Sequence, residues 1–218
     1  MTKVKKPAAK AAQAAGKVLA GLKKLYSDAE CELNFKNPYE LLLSVILSAQ
    51  CTDKRVNQVA PALFKRFPDF KAMAQADILE LEKLIHSTGF YRSKARSILE
   101  TSRAIMERFG GEVPRRMEDL LTLRGVARKT ANVILGTAYG ISSGIVVDTH
   151  MKRVSYRLGL TNQKDPVKVE RDLVELIPQK DWIYFGHGMI WHGRRLCHAR
   201  SPRCGECPFR TFCPQRGV

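Results

Sequence analysis

Helix-boundary signals recur along most of this chain and leave little room for other regular structure. Asn37-Pro38 sets an N-cap side chain before a proline at the first helical position, ahead of YELLLSVILSAQ, and Asp165-Pro166 repeats the device ahead of VKVERDLVELI. Gly89, Gly110-Gly111 and Gly140 follow DILELEKLIHST, RSKARSILETSRAIMERF and ARKTANVILGTAY, where a glycine in left-handed geometry stops a helix. No alternation of the strand type competes with them. About ten helices are predicted in 218 residues, an all-α chain, and two helical layers at this length predict two lobes with a cleft.

Charge narrows the partner. Lys and Arg total 37 against 21 Asp and Glu, a formal charge of +16, which points to a polyanion. Residues 1–24 hold seven lysines and no acid, so more than half of the excess lies elsewhere. Residues 1–16, Ala-rich with few large apolar side chains, are expected to form a mobile basic arm. The longest apolar run, Leu41 to Leu47, is interrupted by Ser44 and falls far short of the roughly 20 residues that span a bilayer. No membrane association is expected. The N-terminus carries no apolar stretch with a small-residue cleavage site, so the expected setting is a reducing, cytoplasmic one in which disulfides do not form.

Four of the six cysteines, Cys197, Cys204, Cys207 and Cys213, fall at the C-terminus in a C-x6-C-x2-C-x5-C spacing. Four thiols this close in a reducing compartment point to a metal. Only one short Cys-x-x-Cys knuckle is present, which suits a larger cluster better than zinc, but spacing alone leaves zinc open. Arg194, Arg195, Arg200, Arg203, Arg210 and Arg216 accompany them against the single acid Glu206, so the loops should present cations to phosphate.

The segment MEDLLTLRGVARKTANVILGTAY reads as two helices joined by a short Gly-containing hairpin. A hairpin of this kind aims backbone N–H groups at an anion at the start of its second helix. Lys129 lies in that helix's first turn beside Arg128, where the dipole and a like charge work against the ammonium form. A neutral amine forms Schiff bases with masked aldehydes such as C1′ of a deoxyribose, although position alone favours a phosphate contact. Asp148 stands between GIVV and a new helix. It reads first as an N-cap, and the same placement would let an ionised carboxylate stabilise positive charge on a sugar.

With these residues in view, the chain resembles the endonuclease III family of bifunctional DNA glycosylases and abasic-site lyases, in the helix-hairpin-helix superfamily. The likeness runs from about Glu32 to Cys213 and rests on ELNFKNPYELLLSVILSAQCTD, GFYRSKA, LRGVARKTANVILG followed by VDTH, and the cysteine spacing. It implies a six-helix barrel domain with the helix-hairpin-helix over residues 31–141, and a [4Fe–4S] cluster domain built from residues 17–30 and 142–218. Lys129 then matches the Schiff-base lysine, Asp148 the catalytic aspartate, and the four cysteines the cluster ligands. Gln50 matches the residue that fills the gap left by a flipped nucleotide and Phe90 an apolar wedge; without the resemblance Gln50 reads as a helix-end polar residue and Phe90 as core. Insertion makes physical sense, since extruding a base costs a few kcal/mol that inserted side chains partly recover. Further DNA contacts are implied for Arg124, Gly125, Ala127, Arg128, His150, Arg200 and Arg203. The implied activity is release of oxidised pyrimidines from duplex DNA and β-elimination at the abasic site, by a monomer working on the nucleoid of a prokaryote.

The sequence departs from the family pattern at three places in the site. Arg124 stands where the hairpin usually has proline, Ala127 where it has a second glycine, and Phe90 where a smaller aliphatic wedge is usual. A Cβ at Ala127 is expected either to hold a phosphate off or to cost ~1 kcal/mol if the position needs positive φ, with Arg124 compensating by its charge. Two rivals remain at this level. A mismatch adenine glycosylase usually lacks the lysine and carries a further C-terminal domain; an inactive DNA-binding iron–sulfur protein has no need of both Lys129 and Asp148.

Overall fold

The computed structural model describes residues 9–218, and among them every regular element is helical. The α-helices are α1 (Ala9–Leu25), α2 (Pro38–Leu47), α3 (Asp53–Arg66), α4 (Phe70–Ala74), α5 (Ile78–Ile85), α6 (Tyr91–Phe109), α7 (Met117–Leu120), α8 (Arg128–Tyr139), α9 (Thr149–Arg157), α10 (Pro166–Leu176) and α11 (Trp182–Arg195). The boundary chemistry operates as the residue types predict. Asn37 accepts from Glu40 N (2.9 Å) and Asp165 from Lys168 N (3.0 Å), each just before its proline, while Gly110 and Gly140 end α6 and α8 in left-handed geometry.

The chain divides into two compact units, one of Cys31–Ser143 and one that joins the residues up to Glu30 with Gly144–Val218. The middle unit is built around α2, on which Tyr39 and every residue from Leu41 to Leu47 are buried. A helix apolar all round has to be central. The Tyr39 hydroxyl keeps a partner there by donating to Phe67 O at 2.6 Å. Helix α6 packs on α4 and α5, and α8 packs on α2, so the loop between α7 and α8 is held on a buried base.

The other unit closes α1, α9, α10 and α11 over Val18, Leu22, Met151, Val154, Leu173, Phe185 and Met189. Here one expectation is corrected. Residues 9–16 are the first turns of α1 rather than a mobile arm, and Ala15 is fully buried. Alanine is the best helix former, and extending a helix already packed through Val18 and Leu22 needs no new nucleus. Phe209 lies on Gly21 so closely that any Cβ there would run into its ring, which ties α1 to the C-terminal cysteine segment. The expected arm over residues 1–8 lies outside the described residues.

Candidate functional site

The hairpin begins where α7 ends at Leu120. Turn bonds from Thr122 N to Asp119 O, Leu123 N to Leu120 O and Val126 N to Leu123 O wind the chain into it, with Leu120, Leu123 and Val126 buried as anchors. Gly125 has φ +81°, and a Cβ there would sit 3.1 Å from Ser97 Cβ, so both conformation and space require glycine. Ala127 has φ −90° in extended geometry and is unstrained, which removes the positive-φ cost from the two expectations for it. It is exposed and makes no side-chain cap, so the first N–H groups of α8 have no local acceptor from it. Lys129 in that first turn is exposed, and no described residue pairs with it. Arg124 is engaged instead: its Nη1 lies 3.0 Å from Glu100 Oε2, and its carbonyl accepts from Thr101 Oγ1 at 2.7 Å.

Gln50 and Phe90 share a property that composition does not show. Both are exposed and left-handed, at φ +52° and +48°, a conformation that costs a residue other than glycine roughly 1–2 kcal/mol. Phe90 is 65% exposed, which excludes the core reading of this ring.

In the other unit, Asp148 caps α9 by accepting from Met151 N at 2.7 Å. The plain N-cap reading therefore holds locally, and it leaves one carboxylate oxygen to other work. Two residues on, His150 Nδ1 lies 3.2 Å from Arg153 Nη2, and Arg153 donates to Gly193 O (2.9 Å) and Cys197 O (2.9 Å). Burial pulls the His150 pKa below its ordinary value; the Asp148 carboxylate opposes this, while Arg153 and Arg194 reinforce it.

All four C-terminal cysteines line one cavity, with Arg157, His192, Pro202 and Arg210 among its walls. Yet no three His, Cys, Asp or Glu side chains among the described residues are grouped tightly enough to hold a single ion. Four thiols around one cavity are a donor set that an iron–sulfur cluster takes. Polar groups already point at the sulfurs: Arg157 Nη1 at 3.4 Å from Cys197 Sγ, Gln215 N at 3.4 Å from Cys213 Sγ, and His192 Nε2 at 3.6 Å from Cys207 Sγ. Burial pushes the Cys207 and Cys213 thiols up, a cost that a bound cation offsets when thiolates ligate it. Arg157, 5% exposed, also donates to the carbonyls of His198 (2.6 Å), Ala199 (3.0 Å) and Gly217 (3.3 Å), pinning the loop from both sides.

The arginines around this cavity are less uniform than their number suggests. Arg195 stacks over Trp191 at 3.6 Å, Arg203 pairs with Glu206 at 3.2 Å, and Arg216 donates to Asn162 at 2.5 Å. Arg200 and Arg210 are exposed and without a side-chain partner among the described residues. Sequence reasoning missed Glu100, Arg153, Arg157 and Gly193. Only the four-residue spacing of Arg153 and Arg157 on one face of α9 offered a signal.

Comparison with known proteins agrees with this geometry. Residues 43–179 match the HhH-GPD superfamily of base excision DNA repair proteins, and residues 197–213 match the iron–sulfur binding domain of endonuclease III. Endonuclease III of Synechocystis sp. is 58% identical over 202 residues, covering 93% of this chain and 92% of the relative. The chain belongs to the endonuclease III family. Two solved structures of endonuclease III, one a non-covalent complex with DNA and one a trapped covalent intermediate with DNA, superpose with TM-scores of 0.90. Each is 42% identical; both cover 94% of this chain, which covers 95% and 96% of theirs. This endonuclease III family member is thus a base-excision repair DNA glycosylase and abasic-site lyase that carries an iron–sulfur cluster.

Proposed function

We propose that this enzyme removes oxidised pyrimidines from duplex DNA with Lys129 as nucleophile and then cleaves the strand at the same sugar. The observation that carries the assignment is the exposed, unpartnered amine of Lys129 in the first turn of α8, directly after the glycine-bearing hairpin. Its Nζ attacks C1′ as the N-glycosidic bond breaks. The amine sheds a proton and the C1′–O4′ bond opens to give an iminium, which acidifies the C2′ proton, and loss of that proton expels the 3′ phosphate by β-elimination. Asp148, held by Met151 N, stabilises the positive charge on the sugar.

Gln50 and Phe90 enter the duplex where the nucleotide leaves it, which gives their left-handed geometry and exposure a use. Gly125, Ala127 and Arg128 hold one phosphate at the start of α8, with Arg124 at its edge. His150 lies beside the sugar, and Arg200 and Arg203 reach the backbone from the cysteine loop. Cys197, Cys204, Cys207 and Cys213 ligate the [4Fe–4S] cluster, which supplies structural cross-linking when bound. The enzyme acts as a monomer on nucleoid DNA in a bacterial cytoplasm, in keeping with its bacterial relatives.

Borohydride trapping on an abasic-site duplex tests the central step. Lys129→Gln is expected to keep its fold and nearly all its DNA affinity but to form no trapped adduct. Trapping at the wild-type level in that variant removes Lys129 from the nucleophile's role.

A further inference from the structure

Lys94 is the one lysine placed among the buried polar residues of the middle unit, 4% exposed, in the first turn of α6. Both features work against a cation: burial costs hydration, and the start of a helix repels positive charge. Burial indeed draws its pKa down, opposed by the nearby Cys51 thiol. A position that spends stability on a charge is a candidate for a functional role.

Its bonds show where that role lies. The Lys94 ammonium donates to Thr88 O at 2.8 Å, and the Lys94 backbone N–H donates to Phe90 O at 3.0 Å. One residue therefore holds both ends of the Thr88-Gly89-Phe90 turn. That turn has two consecutive positive φ values, +69° at Gly89 and +48° at Phe90, and Phe90 itself has no side-chain cap to fix it. Thr88 is anchored in turn by its hydroxyl, which donates to Ile85 O at 2.8 Å.

We infer that Lys94 is a positioning residue for DNA interrogation, a buried cation that fixes the Phe90 turn. The inference rests on the proposal that Gln50 and Phe90 enter the duplex. Fixing a strained turn before DNA arrives lowers the ordering cost when the ring inserts. Lys94 touches neither substrate nor Lys129 in this scheme. It acts only through that turn.

Lys94→Met keeps the length and apolar stem and removes both the charge and the bond to Thr88 O. The full-length holoenzyme is measured against two duplexes, one intact and one with a tetrahydrofuran abasic analogue opposite 2-aminopurine. The abasic-over-intact affinity ratio is expected to fall roughly tenfold, the lower end of what losing a hydrogen bond to a charged group costs. The 2-aminopurine signal should move toward that of the free duplex, while intact-duplex affinity stays at the wild-type level. Lys94→Arg, which can still reach a carbonyl with a cation, should recover part of the ratio. A purely structural role would weaken both duplexes together and leave the ratio unchanged, which overturns the inference. If Lys94→Met does not fold, Lys94→Gln is read in the same way, since it lacks both the charge and the reach. Phe90→Ala separates the two levels. Should it leave the ratio unchanged, insertion by Phe90 is wrong and this inference falls with it; should it lower the ratio while Lys94→Met does not, only the role of Lys94 is refuted.

Discussion

Gly193→Ala tests whether Asp148 depends on the close packing of α9 against α11. A Cβ at Gly193 would stand 2.9 Å from His150 Cβ, with Arg153 Nη2 and His150 Nδ1 each at 3.2 Å. Carbon atoms pack best at about 3.5–4.0 Å, so the two helices must part by roughly 0.6–1 Å at that point. His150 Cβ is attached to the backbone and cannot swing aside, so the first turn of α9 moves as a piece, and Asp148 is its N-cap. Overpacking costs ~1–3 kcal/mol, while replacing glycine within a helix returns at most ~1 kcal/mol, less this close to the C-terminus. The net loss, about 0–2 kcal/mol, should lower the melting temperature by up to roughly 4–8 °C for a chain of this size. Base release should suffer more, since a misplacement of about 1 Å at a reacting centre costs up to roughly 100-fold. Single-turnover base release and thermal melting on the same preparation read both. Gly188→Ala, one and a half turns earlier on the same helix, is the control: its Cβ would meet Leu22 at an ordinary 3.5 Å, so neither rate nor stability should fall. A Gly193→Ala enzyme with the wild-type rate would show that Asp148 does not depend on this contact.

Other perturbations address separate parts of the molecule. Tyr39→Phe loses one buried hydrogen bond, about 1 kcal/mol at neutral pH. Burial, with Asp69 and Glu40 adding to it, raises the Tyr39 pKa, so the unfolded chain ionises first and wild-type stability falls as pH climbs above about 10; the variant should show a shallower fall in alkaline melts. Glu100→Gln frees Arg124, and if that guanidinium then reaches a phosphate, the slope of log K against log salt should steepen by up to about 0.9; an unchanged slope excludes the contact. Protein purified without air should contain iron and no zinc. Arg157→Met should release that iron to a chelator roughly 10–100-fold more readily, through loss of its bonds to the Cys197 sulfur and three loop carbonyls.

The helices were legible because their boundaries are local chemistry. An Asn or Asp side chain reaches an N–H three residues away, and a glycine accepts positive φ, whatever the rest of the chain does. The same locality placed Asp148 as a cap and Gly125 as the turn of the hairpin. It failed at residues 9–16, where apolar content was low but helix propensity high, and where the helix runs on into the buried Val18 and Leu22. It also gave no view of charge pairing. Arg124 read as a free cation added beside a phosphate, and the partner that engages it lies 24 residues back on α6.

The hidden residues have a common physical character. Arg153, Arg157 and Lys94 are cations whose hydrogen bonds go mostly to backbone carbonyls, and a carbonyl carries no residue type for a sequence pattern to register. In a chain with so large a basic excess, such residues look like more of the same polyanion-binding surface. Burial separates them, because a desolvated cation must spend its donors inside the protein, and what it holds there is a turn or a loop rather than a phosphate. Lys129 is the converse, a lysine left exposed and without a partner among the described residues where its neighbours on the hairpin are anchored. The basic residues thus divide between those that shape the reactive surface and those that meet DNA, and net charge alone could not make that division.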